Sequence, residues 1–366
     1  MQREDDEYFM GEALRVAVYA RGRTSPNPLV GAVIVKQGRI VGTGWHRKAG
    51  TAHAEIHALQ MAGDLARGGT LYVTLEPCAH YGRTGPCAEA VAAAGLKRVV
   101  IAMVDPNPLV SGKGIGILKR AGIEVVTGVL EAQAQKINEV FVHWMTRKRP
   151  FVLWKTAMTL DGKIASASGD AKWISNEKSR AMVHEIRDSV DAIMVGIGTE
   201  LADNPLLTTR LPGGEGKNPV RIIVDSMART PVNAAVITDK AAKTIIAVTT
   251  EAPAAKVKEL EEAGAEVLQV NSGRLVDLDV LMQILAQRDI CSVLVEGGSQ
   301  LAFSLLEKKL ISKAMVFVAP KIIGGSTAPT PVGGSGFIKM AEAVELEDIA
   351  VENAAGDILI TGYPKR

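Results

Sequence analysis

Short apolar runs bounded by turn residues alternate with amphipathic stretches along the whole chain. Residues 29–35 and 39–44, rich in Val and Ile, flank Lys36-Gln37-Gly38 and predict a hairpin. Residues 70–75, 98–104 and 123–127 read as buried strands, because they are short and made of Val, Leu and Ile. Helical spacing predicts helices over about 7–20, 54–66, 88–94, 117–121 and 132–145. Pro150, after the basic Arg147-Lys148-Arg149, stops the last of these and sets a domain boundary, giving domains 1–146 and 150–366. Beyond it, strands are expected at 151–156, 192–195, 221–225, 244–248, 266–270, 292–296 and 313–318, with a Gly- and Pro-rich loop over 211–219. Strands alternating with helices make both halves α/β, each with a largely parallel sheet.

Onto this frame the chain places His53-Ala54-Glu55, Pro77-Cys78 and Cys87. One imidazole and two thiolates suit Zn²⁺ as three ligands of a tetrahedron with the fourth position open to water. Two residues apart, His53 and Glu55 are about 200° apart on a regular helix, so they converge only at its first turn. Cys78, just after a strand, is expected where a second helix begins, whose N–H groups would favour a thiolate. The pattern is that of zinc-dependent nucleobase deaminases, in which zinc acidifies a water and the glutamate shuttles protons while ammonia leaves. The competing reading is a closed structural site with His57 or His80 as fourth ligand; His57 otherwise reads as a packed helix residue, and Cys291 as a small core residue.

Composition narrows the partners. With 42 basic and 40 acidic side chains, the net charge of +2 supplies no strong field for nucleic acid or an anionic membrane. Aromatics at 4% are thin for gripping bases by stacking. The three cysteines are too few and odd in number for a disulfide framework, the acidic N-terminus lacks a signal-peptide pattern, and no apolar run approaches a membrane span. A cytoplasmic enzyme without a nucleic-acid or membrane partner is the expectation.

In the second half no G-x-G-x-x-G opens a helix; Gly196-Ile197-Gly198-Thr199 lacks the third glycine. Gly297-Gly298-Ser299, between a strand and an amphipathic helix over 300–308, would let backbone approach a pyrophosphate, or would be an ordinary strand-to-helix turn. Asp225 after a strand would, in a Rossmann frame, hint at NADH.

The eight residues between Cys78 and Cys87, with His80, Gly82 and Thr84 among them, resemble the bifunctional riboflavin-biosynthesis deaminase/reductase family. So do Thr24-Ser25-Pro26-Asn27-Pro28, His53-Ala54-Glu55-Ile56-His57-Ala58, Asp105-Pro106-Asn107-Pro108, Leu160-Asp161-Gly162-Lys163, Lys172-Trp173-Ile174-Ser175 and Glu296-Gly297-Gly298. The resemblance implies a cytidine-deaminase-like three-layer α/β/α domain followed by a dihydrofolate-reductase-like α/β domain. It also implies a two-step activity. The amine of 2,5-diamino-6-ribosylamino-4(3H)-pyrimidinone 5′-phosphate is lost hydrolytically. NADPH then reduces the ribosyl group of 5-amino-6-(5-phosphoribosylamino)uracil to ribityl. His53, Cys78 and Cys87 would hold one Zn²⁺ and Glu55 would carry the proton, with Asn27, His80, Arg83, Asp105 and Asn107 lining the pyrimidine pocket. For Asn27 and Asp105, in Pro-rich tetrapeptides, turn chemistry is the alternative.

By the same resemblance Ala157, Trp173, Ser175, Thr199, Asp203, Ser226 and the run Gly298, Ser299, Gln300, Leu301, Ala302, Phe303 and Ser304 would touch NADPH. Lys155, Ala171, Arg187, Leu207, Arg210 and Glu296 would line the ribosyl-phosphate site. Arg187 and Arg210 suit phosphate because the guanidinium fork matches its oxygens, although most arginines are solvated at the surface. The chain departs from the family in carrying Ala171 where relatives have serine, and Thr84-Gly85-Pro86 where they have consecutive prolines. Self-association through the reductase half is also implied. Two rivals remain: a nucleobase- or nucleic-acid-editing deaminase with an appended nucleotide-binding domain, and a zinc-stabilised scaffold. The first needs a basic, aromatic groove; the second leaves Glu55 without a role.

Overall fold

The computed structural model describes residues 2–79, 85–108, 110–214 and 216–365. The chain divides into two compact units, Met1–Lys148 and Arg149–Arg366. No described helix is long and apolar enough to cross a membrane.

The first unit runs α1 (Gln2–Ala17), β1 (Gly31–Lys36), β2 (Arg39–Trp45), α2 (Ala54–Ala62), β3 (Thr70–Leu75), α3 (Cys87–Ala93), β4 (Arg98–Met103), α4 (Lys113–Arg120), β5 (Glu124–Thr127), α5 (Glu131–Ile137) and α6 (Glu139–Arg147). Its five strands lie in the order β2-β1-β3-β4-β5. The hairpin partner β2 and strand β3 are antiparallel to β1, whereas β3, β4 and β5 are parallel, so the sheet is mixed. Every residue of β4 is buried, as expected of a strand covered on both faces. The covering helices can be read from the glycines. A Cβ on Gly31 would enter the backbone of α1, and one on Gly44 the backbone of α2. Gly31 pairs with Trp45, the neighbour of Gly44, so the two glycines point to opposite faces and the unit has three layers.

The second unit runs β6 (Phe151–Thr159), α7 (Glu177–Ser189), β7 (Ala192–Gly196), α8 (Ile197–Asp203), β8 (Val220–Val224), α9 (Ala235–Thr238), β9 (Thr244–Thr249), α10 (Ala254–Glu262), β10 (Glu266–Asn271), α11 (Leu278–Gln287), β11 (Ser292–Glu296), α12 (Ser299–Glu307), β12 (Lys313–Ala319), β13 (Leu346–Ala354) and β14 (Asp357–Pro364). The nine strands are ordered β10-β9-β8-β7-β11-β6-β12-β14-β13. All pairings from β10 to β12 are parallel, and β14 and β13 add an antiparallel edge.

Three local features depart from the sequence pattern. The helix expected over 132–145 breaks at Asn138, whose buried amide holds both the N–H (2.8 Å) and the C=O (2.9 Å) of Leu29. The helix expected to begin near Cys78 begins at Cys87 instead. Strands β13 and β14 were not expected: β13, LEDIAVENA, is an edge strand exposed along nearly its whole length, so no buried face imposes a period-two pattern on it.

Candidate active sites

The zinc centre grows from two chain reversals. His53 caps the start of α2 in extended backbone (φ −79°, ψ 168°), which brings its ring and the Glu55 side chain to the same end of the helix. Cys87 is the first residue of α3, and Cys78 lies in the loop after β3. His53 Nδ1 stands 3.6 Å from Cys78 Sγ and 3.2 Å from Cys87 Sγ, and all three donor atoms lie within 4.8 Å of one another. Zn–N and Zn–S bonds of ordinary length at a tetrahedral angle require N···S separations of about 3.6 Å, so the donor set fits zinc. The Cys78 thiol is held down to about 4, first by its contact with Cys87 and also by His53. The same contact pushes the Cys87 thiol up.

Beside this triangle Glu55 is buried, and its Oε2 has no hydrogen-bond partner among the described residues. Burial raises its carboxyl to about 7. Both groups border a cavity of about 320 Å³ that Asn27, His46, Glu76, Asp105, Asn107 and Phe141 help to line. Asn27 Nδ2 lies 3.1 Å from His46 Nε2, and the His46 ring meets His53 edge-on with centroids 5.1 Å apart. Asp105 Oδ1 accepts the Asn107 N–H at 2.8 Å, the turn chemistry foreseen for that tetrapeptide, while both side chains still border the cavity. His80 and Arg83 lie outside the described residues.

In the second unit the C-terminal ends of neighbouring strands converge. Glu296 of β11 pairs in register with Lys155 of β6, with Nζ 3.7 Å from Oε2. Arg187 of α7 forks onto Glu296 at 2.7 and 3.1 Å and donates to the Thr208 carbonyl at 2.9 Å. Burial alone would raise the Glu296 carboxyl, but Arg187 and Lys155 hold it down to about 2. Burial lowers Lys155 against the pull of Glu296. Arg210 donates to Thr208 Oγ1 at 3.1 Å, and its backbone N–H reaches His184 Nδ1 at 3.3 Å. Burial, then Arg187 and Arg210, lower His184 to about 4, which keeps it a neutral acceptor. Leu207 turns its side chain into the core. Ala171 is half-buried in the loop before α7.

The glycine turns adjoin this cluster. Gly297 and Gly298 take φ of 79° and 81°, a region open to glycine, and a Cβ on Gly297 would lie 3.0 Å from Thr199 Oγ1. The starts of α8 and α12 are thereby brought together, beside Ser299. Leu301, Ala302 and Phe303 are buried, Gln300 is exposed and Ser304 half-buried, so the run 298–304 faces the site chiefly at its first residues. Trp173 is 64% exposed with the Arg180 guanidinium 4.6 Å over its ring, and Ser175 O accepts from Arg180 at 2.6 Å. Ala157 lies along β6, Asp203 is exposed at the end of α8, and Ser226 Oγ accepts the Val276 N–H at 3.0 Å.

Comparison with known proteins accounts for both centres. Residues 3–103 match the cytidine and deoxycytidylate deaminase zinc-binding region, and residues 150–360 match the RibD C-terminal domain. The chain is 45% identical to the riboflavin biosynthesis protein RibD of Bacillus amyloliquefaciens, over 98% of this chain and 96% of that one. The chain belongs to the RibD family. It superposes over its full length on Acinetobacter baumannii RibD, with a TM-score of 0.88 at 38% identity. A Thermotoga maritima diaminohydroxyphosphoribosylaminopyrimidine deaminase/5-amino-6-(5-phosphoribosylamino)uracil reductase gives 0.87, also at 38% identity. Like other RibD proteins, this is a bifunctional enzyme of riboflavin biosynthesis, with a zinc-binding deaminase domain and a reductase domain of dihydrofolate-reductase-like fold.

Sequence reasoning missed His46, Glu76, His184 and Thr208. His46 and His184 carry no motif; each acquires a neighbour only through folding. Glu76 had a weak signal, an acidic residue between an apolar strand and Pro77-Cys78, where a charge has to be buried.

Proposed function

We propose that residues 1–146 deaminate 2,5-diamino-6-ribosylamino-4(3H)-pyrimidinone 5′-phosphate in the cytoplasm. In the same reading residues 150–366 reduce the ribosyl group of 5-amino-6-(5-phosphoribosylamino)uracil with NADPH. One observation carries it: a His-Cys-Cys triangle of zinc dimensions with a buried glutamate at its side, opening on a cavity.

His53, Cys78 and Cys87 would hold zinc, which when bound makes water acidic near neutral pH. Glu55 Oε2, without a hydrogen-bond partner among the described residues, takes a proton from the attacking water and returns it to the departing amine. The Asn27 amide and the Asp105 and Asn107 side chains face the cavity and read the donor and acceptor edges of the pyrimidine.

NADPH, when bound, supplies hydride. The Gly297-Gly298-Ser299 turn lets backbone approach its diphosphate, and Thr199 borders the same turn. Trp173, Ser175, Asp203, Ser226 and Ala157 flank the cofactor in this reading. Asp225 gives no support to NADH: it is fully buried, with Oδ2 accepting from Thr230 at both N (2.7 Å) and Oγ1 (2.8 Å) and Oδ1 3.5 Å from Arg229, so a ribose hydroxyl does not reach it. Among the described residues no carboxylate pairs with Arg210, which leaves its guanidinium for the substrate phosphate, while Arg187 is taken up by Glu296. Lys155 and Glu296 present a cation and an anion to the ribosyl hydroxyls. A neutral hydrogen bond is worth about 1 kcal/mol, so Ala171 in place of serine leaves the site workable. Self-association through the second unit belongs to the same reading, with the exposed edge β13 as its support and sedimentation as its test.

A coupled assay tests the proposal. Ammonia release from the diaminopyrimidine should require zinc, and NADPH oxidation should require the deaminated product. Zinc-loaded protein that releases no ammonia would remove the first half; oxidation of NADH at an equal rate would remove the cofactor assignment.

A further inference from the structure

The buried carboxylate of Glu76 takes no part in the chemistry above, yet it borders the deaminase cavity. It stands at the end of β3, where its own N–H continues the ladder to Met103 O at 3.0 Å. Both oxygens are turned toward backbone. Oε2 accepts the Asp105 N–H at 3.3 Å and the Gly112 N–H at 3.0 Å, and Oε1 accepts the Ile115 N–H at 3.2 Å. One oxygen therefore ties Asp105 to Gly112, and the other reaches the first turn of α4. That helix starts at Gly112 with no side-chain cap of its own. A carboxylate at this end satisfies N–H groups that a helix leaves unpaired and carries the favourable charge.

A second feature points the same way. A Cβ on Gly114 would run into the Pro77 carbonyl and stand 3.3 Å from Glu76 Cγ. Only glycine lets α4 come close enough for the carboxylate to reach Gly112 and Ile115. The loop so closed carries Asp105, Asn107 and Val110, all of which border the cavity. Without Glu76 these three part-buried N–H groups would lose their charged acceptor, and the chain from Asp105 to Gly112 would no longer be held against β3.

We infer that Glu76 is the positioning residue of the deaminase pocket: it sets where the Asp105–Asn107 turn meets the pyrimidine, without touching substrate or metal. This rests on reading the cavity as the pyrimidine pocket. The test is Glu76→Gln in the full-length, zinc-loaded enzyme. The amide keeps the size of the side chain but turns one acceptor into a donor that faces an N–H.

Losing charge-assisted bonds of this kind corresponds to roughly a 10- to 100-fold effect. We expect the KM of deamination to rise by about that factor while kcat stays within about threefold, with zinc near one per chain and NADPH oxidation unchanged. Should kcat fall in step with lost zinc while KM holds, Glu76 merely supports Cys78 and the inference is wrong; it is equally wrong if neither constant moves. If the variant does not fold, hydrogen exchange on the unaltered enzyme decides: the amides of Asp105, Gly112 and Ile115 should be protected, and free exchange overturns the assignment. A wild-type enzyme that fails to deaminate at all would instead sink the pocket reading itself.

Discussion

A buried acid with too few partners lowers its cost by keeping its proton, and Glu55 and Glu200 each have one buried oxygen without a hydrogen-bond partner among the described residues. For Glu55, Glu55→Gln should remove at least about 100-fold of the deaminase rate, the usual worth of a positioned acid–base group, while zinc stays near one per chain. Ammonia release and metal content measured together would separate the two. Glu200, on α8, is 2% exposed, and burial raises it from 4.5 to about 7, opposed by Arg221 and aided by Asp203. The folded protein then binds this proton more tightly than the unfolded chain. The stabilisation is complete below pH 4.5 and is lost as pH rises toward 7, on the order of 3 kcal/mol in all. Glu200→Gln mimics the protonated form, so the variant should match the wild type at pH 5 and exceed it at pH 8. Melting curves at the two pH values check this, and an equal difference at both would show that Glu200 does not titrate there.

At the scale of elements, the zinc triangle depends on where the start of α2 sits. A Cβ built on Gly44 of β2 would run into the Ala54 carbonyl, the Ala58 N–H and His57 Cβ, so α2 leaves no room there for a methyl group. Gly44→Ala should push α2 off the sheet, cost about 1–3 kcal/mol by overpacking, and weaken zinc binding at least tenfold through His53. Zinc titration of the variant against the wild type reads the effect; unchanged affinity would show that the strand yields instead of the helix. Elements with a strong internal pattern, such as β3 and β4, were legible from their apolar runs. The break at Asn138 was not, and Cys78 lies outside any helix although a helix start was expected there, whereas α3 falls within a residue of the helix expected over 88–94. Asn138 bends the chain because of a partner, Leu29, that is 109 positions away.

For the whole molecule, the candidate zinc ligands His53, Cys78 and Cys87 and the Lys155–Arg187–Glu296 cluster lie in different compact units, so metal removal should act on one activity alone. Treating the intact enzyme with a zinc chelator should abolish ammonia release and leave NADPH oxidation on the deaminated substrate unchanged. A parallel loss of both rates, measured in one preparation, would show that the reductase half also needs the metal.

The α/β class was readable from the chain because it is written in short-range apolar periodicity, and the candidate donors His53, Cys78 and Cys87 lie within 34 positions of one another. What folding alone supplied are the partners. Arg187 finds Glu296 across 109 positions, Glu76 finds three backbone N–H groups, and His184 finds Arg210. Parallel pairing carries the ends of distant strands to one edge of a sheet, and backbone donors have no signature in the residue order. The chemistry of a site can therefore be spelled locally, whereas the shape of its pocket emerges only when the sheet closes.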